Sequence, residues 1–218
     1  MSVNCLILGE PGTGKSTSMR NMVAADTLLI QTIKKPLPFR STGWAHRTKD
    51  NPAGNVFVSD DPAGIVEIMR KTKRKIIVID DWNLVMTNAF MRRSAEIGFQ
   101  KFNDIGRAAW DVMMESMALP DDVRVYMLGH TETDDFGKSK AKTIGRMIDE
   151  KCPVESLFTI VLRTRVQDGN YEFLTHNSGS DTVKSPLGMF TEHAIENDLS
   201  AVDAAICDYY SLPVQAAA

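Results

Sequence analysis

Short apolar runs alternate along the chain with stretches whose apolar residues recur every three or four positions. "VNCLIL" (3–8), "TLLIQ" (27–31), "VFVS" (56–59), "KIIVIDD" (75–81) and "VRVYMLG" (123–129) are apolar on both faces, as strands buried in a parallel sheet are. Between them, residues 15–24 predict a helix. So does "DDPAGIVEIMRK", whose two acidic residues and proline mark a helix start. Residues 98–117 place Phe99, Phe102, Ile105, Ala109, Val112 and Met113 on one broad helical face. "LFTIVLRTRV" (157–166) and "YEFLTH" (171–176) predict a hairpin turned by "QDGN", and the chain from about 190 predicts a closing helix. "KKPLPFRSTGWAHRTKDNPAGN" and "HTETDDFGKSKAKTIGR" predict loops, the first rich in Pro and Gly, the second polar. The expected fold class is α/β: a mostly parallel central sheet flanked by helices, with a C-terminal β-hairpin and helix. One domain is expected over 1–218, its tail 213–218 flexible.

Composition narrows the field. At 218 residues the chain is long enough for one well-cored domain, and 43% hydrophobic with 24% charged residues is ordinary for a globular protein. The net charge of -3 argues against a constitutively basic nucleic-acid coat while leaving room for a local basic loop. No apolar run approaches the ~18 residues of a membrane helix. The first strand begins at once, without a signal peptide. Cys5, Cys152 and Cys207 are isolated, odd in number and without metal spacing. A soluble cytoplasmic protein with reduced thiols and no membrane partner is expected.

"GEPGTGKST", from Gly9 to Thr17, follows the first strand and carries the chemistry. It fits the pattern G-x-x-x-x-G-K-[ST] at Gly9, Gly14, Lys15 and Ser16, between a strand and a predicted helix, the context a P-loop requires. Gly9, Glu10, Pro11, Gly12, Thr13 and Gly14 supply a loop whose N–H groups turn inward on an anion, and the helix beginning near Lys15 adds its positive end. Lys15 reaches the β- and γ-phosphates, and the Ser16 hydroxyl ligates Mg²⁺, with Thr17 completing the segment. The expected ligand is ATP with Mg²⁺.

"IIVIDD" reads as a Walker B strand, with Asp80 as the second metal-holding residue. Asp81 has two readings: it polarises the attacking water, or it caps the helix that would begin at "WNLVM". "VRVYMLG" ends at His130. In one large P-loop group an extra strand lies between the Walker A and Walker B strands and aims a polar side chain at the γ-phosphate. His130 stands at that place, as a sensor or as a structural histidine.

These three elements resemble the RecA-like branch of P-loop ATPases. More narrowly, they are similar to the short phage-encoded ATPases related to single-strand-annealing and recombination proteins. The resemblance rests on "GEPGTGKST", "KIIVIDDWN", "VYMLGHTE" and "VKSPLGMF" (183–190), and it covers nearly the whole chain. It implies a RecA-like core, ATP hydrolysis, single-stranded DNA as substrate, and a homo-oligomer, ring or filament, with nucleotide sites between subunits. A single-strand-binding protein is a further implied partner, and a phage origin implies the host cytoplasm. In this family a lysine segment after the final hairpin reaches into the neighbour's nucleotide. Lys184 occupies that place, with Pro186 where a second basic residue is common and Leu187 and Phe190 as its anchors. Many relatives carry a glutamate after the second strand, where "LLIQTIKKPLPF" has glutamine and lysines.

The resemblance also assigns the loop after the sensor strand to DNA. Here it carries Lys138, Lys140, Lys142 and Arg146, with Phe136 able to stack on a base. Asp134 and Asp135 leave a plain solvated loop as the other reading. Arg92 and Arg93 form a weaker second candidate on the loop expected after Walker B, and "KTKRK" (71–75) reads as the cationic end of a helix. Two rival functions share the P-loop. One is a nucleoside or nucleotide kinase, which usually needs an arginine-rich lid. The other is an ATP-switched loader or scaffold with negligible hydrolysis.

Overall fold

The computed structural model describes residues 1–144 and 152–213. β1 (Val3–Leu8), β2 (Thr27–Gln31), β3 (Val56–Val58), β4 (Ile76–Asp80) and β5 (Arg124–Gly129) form where the continuous apolar runs predict them. β6 (Thr131–Thr133) and β7 (Ser139–Ala141) make a small separate hairpin. β8 (Ile160–Gln167), β9 (Asn170–Leu174) and β10 (Ala194–Glu196) complete the strands. The helices are α1 (Pro62–Lys71), α2 (Trp82–Arg92), α3 (Gln100–Ala118) and α4 (Leu199–Tyr209).

The main sheet has eight strands in the order β10-β9-β8-β1-β5-β4-β2-β3. Strands β8 through β3 in that order run parallel, and β9 and β10 add an antiparallel edge. Alternation along each strand divides the core into two layers. Leu6, Leu28, Ile77, Ile79, Val125 and Met127 face α1, α2 and α3, while Cys5, Ile7, Leu29, Val78, Tyr126 and Leu128 face Met19, Met22 and α4. Both faces of the sheet are therefore covered, as strands without a polar face require. The result is an α/β protein with a mostly parallel central sheet flanked by helices.

Three local readings differ from the sequence. Residues 15–24 do not make a regular helix; only a 3-10 helix at Thr17–Asn21 forms. Ser16, Thr17 and Ser18 are poor helix formers because their hydroxyls compete for backbone groups, and Ser18 Oγ donates to the Lys15 carbonyl at 2.6 Å. The segment after β5 is a paired hairpin in place of a loop. "WNLVMTNAFMR" is α2, with Arg92 in its last turn. The Asp168–Gly169 turn between β8 and β9 behaves as its sequence suggests: both residues have positive φ, 52° and 80°. Cys5, Cys152 and Cys207 are unpaired, and among the described residues no helix is long and apolar enough to cross a membrane.

One ionic network lies inside this scaffold. Arg124 of β5, 2% exposed, donates Nε and Nη2 to the two carboxylate oxygens of Asp203 on α4, each at 2.9 Å, and Tyr126 OH adds a third bond at 2.5 Å. Removing the carboxylate strands a buried guanidinium. Asp203→Ala should lose about 3 kcal/mol or more in denaturant unfolding, and Asp203→Asn less. A loss under about 1 kcal/mol for Asp203→Ala would mean that water reaches Arg124 and solvates it.

Candidate functional site

The carboxyl ends of β1, β4 and β5 open into a cleft of about 1060 Å³ that takes in Gly12, Lys15, Asp80, Asp81 and His130. Open parallel sheets place ligands here, because loops from neighbouring strands diverge and leave a crevice. Gly9 to Ser16 forms its floor. Gly14 has φ +98°, in the left-handed region that side chains avoid. Gly9 is required for another reason: a Cβ there would stand 1.8 Å from Thr164 Oγ1 on β8. Thr13 Oγ1 also meets Thr164 Oγ1, at 2.5 Å, so β8 braces the loop from behind.

Lys15 is folded back on its own loop and is 7% exposed. Its Nζ donates to the Gly9 carbonyl at 2.7 Å and the Glu10 carbonyl at 2.9 Å. Burial lowers its pKa, and the nearby carboxylates of Asp81 and Asp80 partly offset that. The short 3-10 helix after the loop contributes less dipole than a full helix.

Asp80 ends β4. Ser16 Oγ donates to it, 3.0 and 3.1 Å from the two oxygens. Lys35 Nζ, from the segment after β2, lies 3.4 Å from Oδ2. Burial raises the Asp80 pKa, against the opposing pull of Lys35 and Ser16. The peptide bond between Asp80 and Asp81 is cis. A hydroxyl and a carboxylate converging at 3 Å are hard oxygen donors that suit Mg²⁺. Among the described residues no three His, Cys, Asp or Glu side chains form a metal cage.

Asp81 is the cap of α2, and its second carboxylate oxygen is engaged as well. Oδ1 caps α2 by accepting from the Asn83 N–H at 3.1 Å, and Oδ2 stands 2.6 Å from His130 Nε2. The opposite ring nitrogen, Nδ1, lies 3.5 Å from Lys15 Nζ. With an ammonium on that side, Nδ1 is the acceptor and Nε2 carries the proton toward Asp81. Asn83 fixes this pair from below. Its Oδ1 accepts the His130 N–H at 2.7 Å, and its Nδ2 donates to the Lys142 carbonyl at the base of the β6–β7 hairpin.

Not every predicted residue reaches the cleft. Lys184 is half-buried and bridges Val161 of β8 through its backbone, with N–O distances of 2.9 and 2.8 Å, outside the cleft of its own chain. Near it Phe190 is buried as an anchor should be, but Leu187 is fully exposed and anchors nothing within this chain. Lys138 and Phe136 are exposed at the hairpin tip, Lys140 pairs with Glu132 at 3.2 Å, and the Lys142 side chain is exposed. Arg146 lies outside the described residues. Arg92 pairs with Asp60, and Arg93 with Glu96 and Asp104, so these two serve the fold. "KTKRK" likewise ends α1 and braces neighbouring loops. Sequence reasoning missed Lys35, Asn83, Thr164, Tyr171 and Asn197. The lysines after β2 were noted, yet nothing in the chain's linear order brings Lys35 to Asp80.

Compared with protein-family models and with curated proteins, the chain matches none.

Because burial raises the Asp80 pKa, its ionised form costs folding stability, and that cost disappears as pH falls through the raised value. Asp80→Asn should therefore unfold at a higher temperature than the parent near neutral pH, without nucleotide, while losing the effect of Mg²⁺ on nucleotide affinity. A lower melting temperature would show that the Lys35 and Ser16 contacts outweigh desolvation.

Proposed function

We propose that this protein is a Mg²⁺-dependent RecA-like ATPase that assembles with copies of itself and acts on single-stranded DNA in phage recombination, annealing or replication. One observation carries the reading. β5 lies between β1 and β4, so His130 comes off its end beside both Asp81 and Lys15. A strand in that position is what gives a P-loop site a group facing the terminal phosphate.

In this reading the Gly9–Thr17 loop and Lys15 hold the β- and γ-phosphates, and Ser16 and Asp80 hold Mg²⁺. The bound metal neutralises charge on the phosphate oxygens. Asp81 orients a water against the γ-phosphorus and draws off its proton as the bond to the β–γ bridging oxygen breaks, yielding ADP and phosphate. His130, hydrogen-bonded to Asp81, keeps that carboxylate aimed and reports on the γ-phosphate. Asp81→Asn should bind ATP–Mg normally and lose at least tenfold in turnover, an order typical of a lost proton acceptor. A parent rate in that variant would leave Asp81 as the cap of α2 alone.

The hairpin supports the DNA part. Phe136 is 96% exposed at its tip, next to Lys138, which suits stacking and phosphate contact with a flexible strand. Through Asn83 its base is tied to the His130 backbone, and in this reading that clip passes nucleotide state to the hairpin. Steady-state turnover with and without single-stranded DNA, and with thymidine and dTMP as competing acceptors, tests the whole reading. DNA-stimulated release of phosphate is expected; phosphorylated nucleoside would make the protein a kinase. Neutralising Lys138, Lys140 and Lys142 together should flatten the salt dependence of DNA binding by roughly 0.7 per lost phosphate contact. An unaltered slope would leave the hairpin as a solvated surface.

The assembly part rests on Lys184 and on the bare Leu187 beside it, an apolar side chain free to seat on another subunit. Specific activity should rise with protein concentration. Lys184→Ala should bind ATP without turning it over and regain activity when mixed with Lys15→Ala, since mixed interfaces pair an intact loop with an intact lysine. Concentration-independent activity together with a normal rate in Lys184→Ala would show the site to be complete in one chain.

A further inference from the structure

The cleft that takes in Asp80 and His130 is also lined by Arg20, the β8–β9 turn and β10. Asn197 is among these residues and is 2% exposed. Its backbone is secured on both sides: the N–H donates to the Tyr171 carbonyl at 3.1 Å, and the carbonyl accepts from Arg20 Nη1. The side chain is not. Neither Nδ2 nor Oδ1 meets a partner, and among the described residues Asn197 alone has both ends of a buried amide unsatisfied. The carboxamide lies over the phosphate loop, with Oδ1 2.9 Å and the Tyr171 ring 3.0 Å from where a Cβ on Gly14 would stand. Tyr171 is 49% exposed and presents its ring to the same space. Buried amides without partners are scarce in native proteins because each lost bond to water goes uncompensated, so a ligand is the natural partner here.

We propose that this part of the cleft is a nucleobase subsite, with Tyr171 stacking on the base and the Asn197 carboxamide reading its edge. The inference rests on the nucleotide-binding reading of the phosphate loop. A carboxamide shows one donor and one acceptor side by side. Adenine offers the complement, an exocyclic amine beside a ring nitrogen, at N6 with N1 or N7; guanine offers one at N1–H with O6 and another at its N2 amine with N3. Glu172, Glu192 and Glu196 line the same space, Glu172 paired with Arg165 at 2.6 Å and Glu196 with Arg20 at 2.7 Å.

Equilibrium binding of Mg²⁺ complexes of ATP, GTP and inorganic tripolyphosphate separates the base from the phosphates. The parent protein should bind ATP and GTP about tenfold or more tightly than tripolyphosphate, the order of one bidentate base contact. Asn197→Leu should reduce ATP affinity by about tenfold and leave tripolyphosphate affinity unchanged. Tyr171→Leu, at a half-exposed position that does not threaten folding, should do the same through lost stacking. ATP and tripolyphosphate weakening together in both variants would overturn the proposal, since the two side chains would then act on the phosphate loop. Unchanged ATP binding in both, or equal affinity of the parent for all three ligands, would overturn it as well. A parent protein that binds none of them would instead overturn the nucleotide-binding reading on which it stands.

Discussion

Lys15, Asp80 and Asp81 are buried within reach of one another at the ends of two strands, and their mutual compensation constrains everything around them. Each would be costly alone in that environment. Together, with Ser16, Lys35 and His130 on their remaining sides, they form a set whose charges offset one another and whose geometry a triphosphate and a metal can take over. Lys15 at present donates to carbonyls of its own loop, and Lys35 stands against the oxygen of Asp80. Ligand binding in such a site exchanges one set of charge contacts for another. The loop can therefore be preorganised without a large reserve of uncompensated charge.

The order of the strands makes this arrangement possible. β1 delivers the phosphate loop, β4 the acidic pair and β5 the histidine, and only with β5 in the middle do His130 and Asp81 come to 2.6 Å. The antiparallel edge beyond β8 adds a different contribution. Thr164 of β8 closes the back of the loop against Gly9, while the β9 and β10 ends roof its far side with Tyr171 and Asn197. The cleft is thus built from nearly the whole length of the chain.

Much of this was legible in the sequence because it is local. Runs apolar on both faces can only be strands covered on both sides, and a Gly-rich turn followed by Lys and Ser has few other uses. The misreadings are also local: the hydroxyl run at 16–18 suits a helix by position but tightens into a 3-10 turn, and the polar stretch 131–141 pairs with itself despite its composition. What stayed hidden depends on distant segments meeting. Lys35 reaches Asp80 across a loop, Asn83 ties α2 to a carbonyl 59 residues on, and Asn197 arrives over Gly14 from the opposite end of the chain. No periodicity or motif marks such encounters, since each is set by where the sheet edges fall.

The Asn83 clip fixes the root of the β6–β7 hairpin, at Lys142, and leaves its tip untouched. Root and tip are thereby separable parts. The root must keep its length and register, because the clip spans one carbonyl and one amide. The tip, around Phe136 and Gly137, carries no such restriction and is open to lengthening, shortening or replacement. A protein so built can change its hairpin tip while the cleft behind it stays fixed, and related chains would be expected to differ most at those few tip residues.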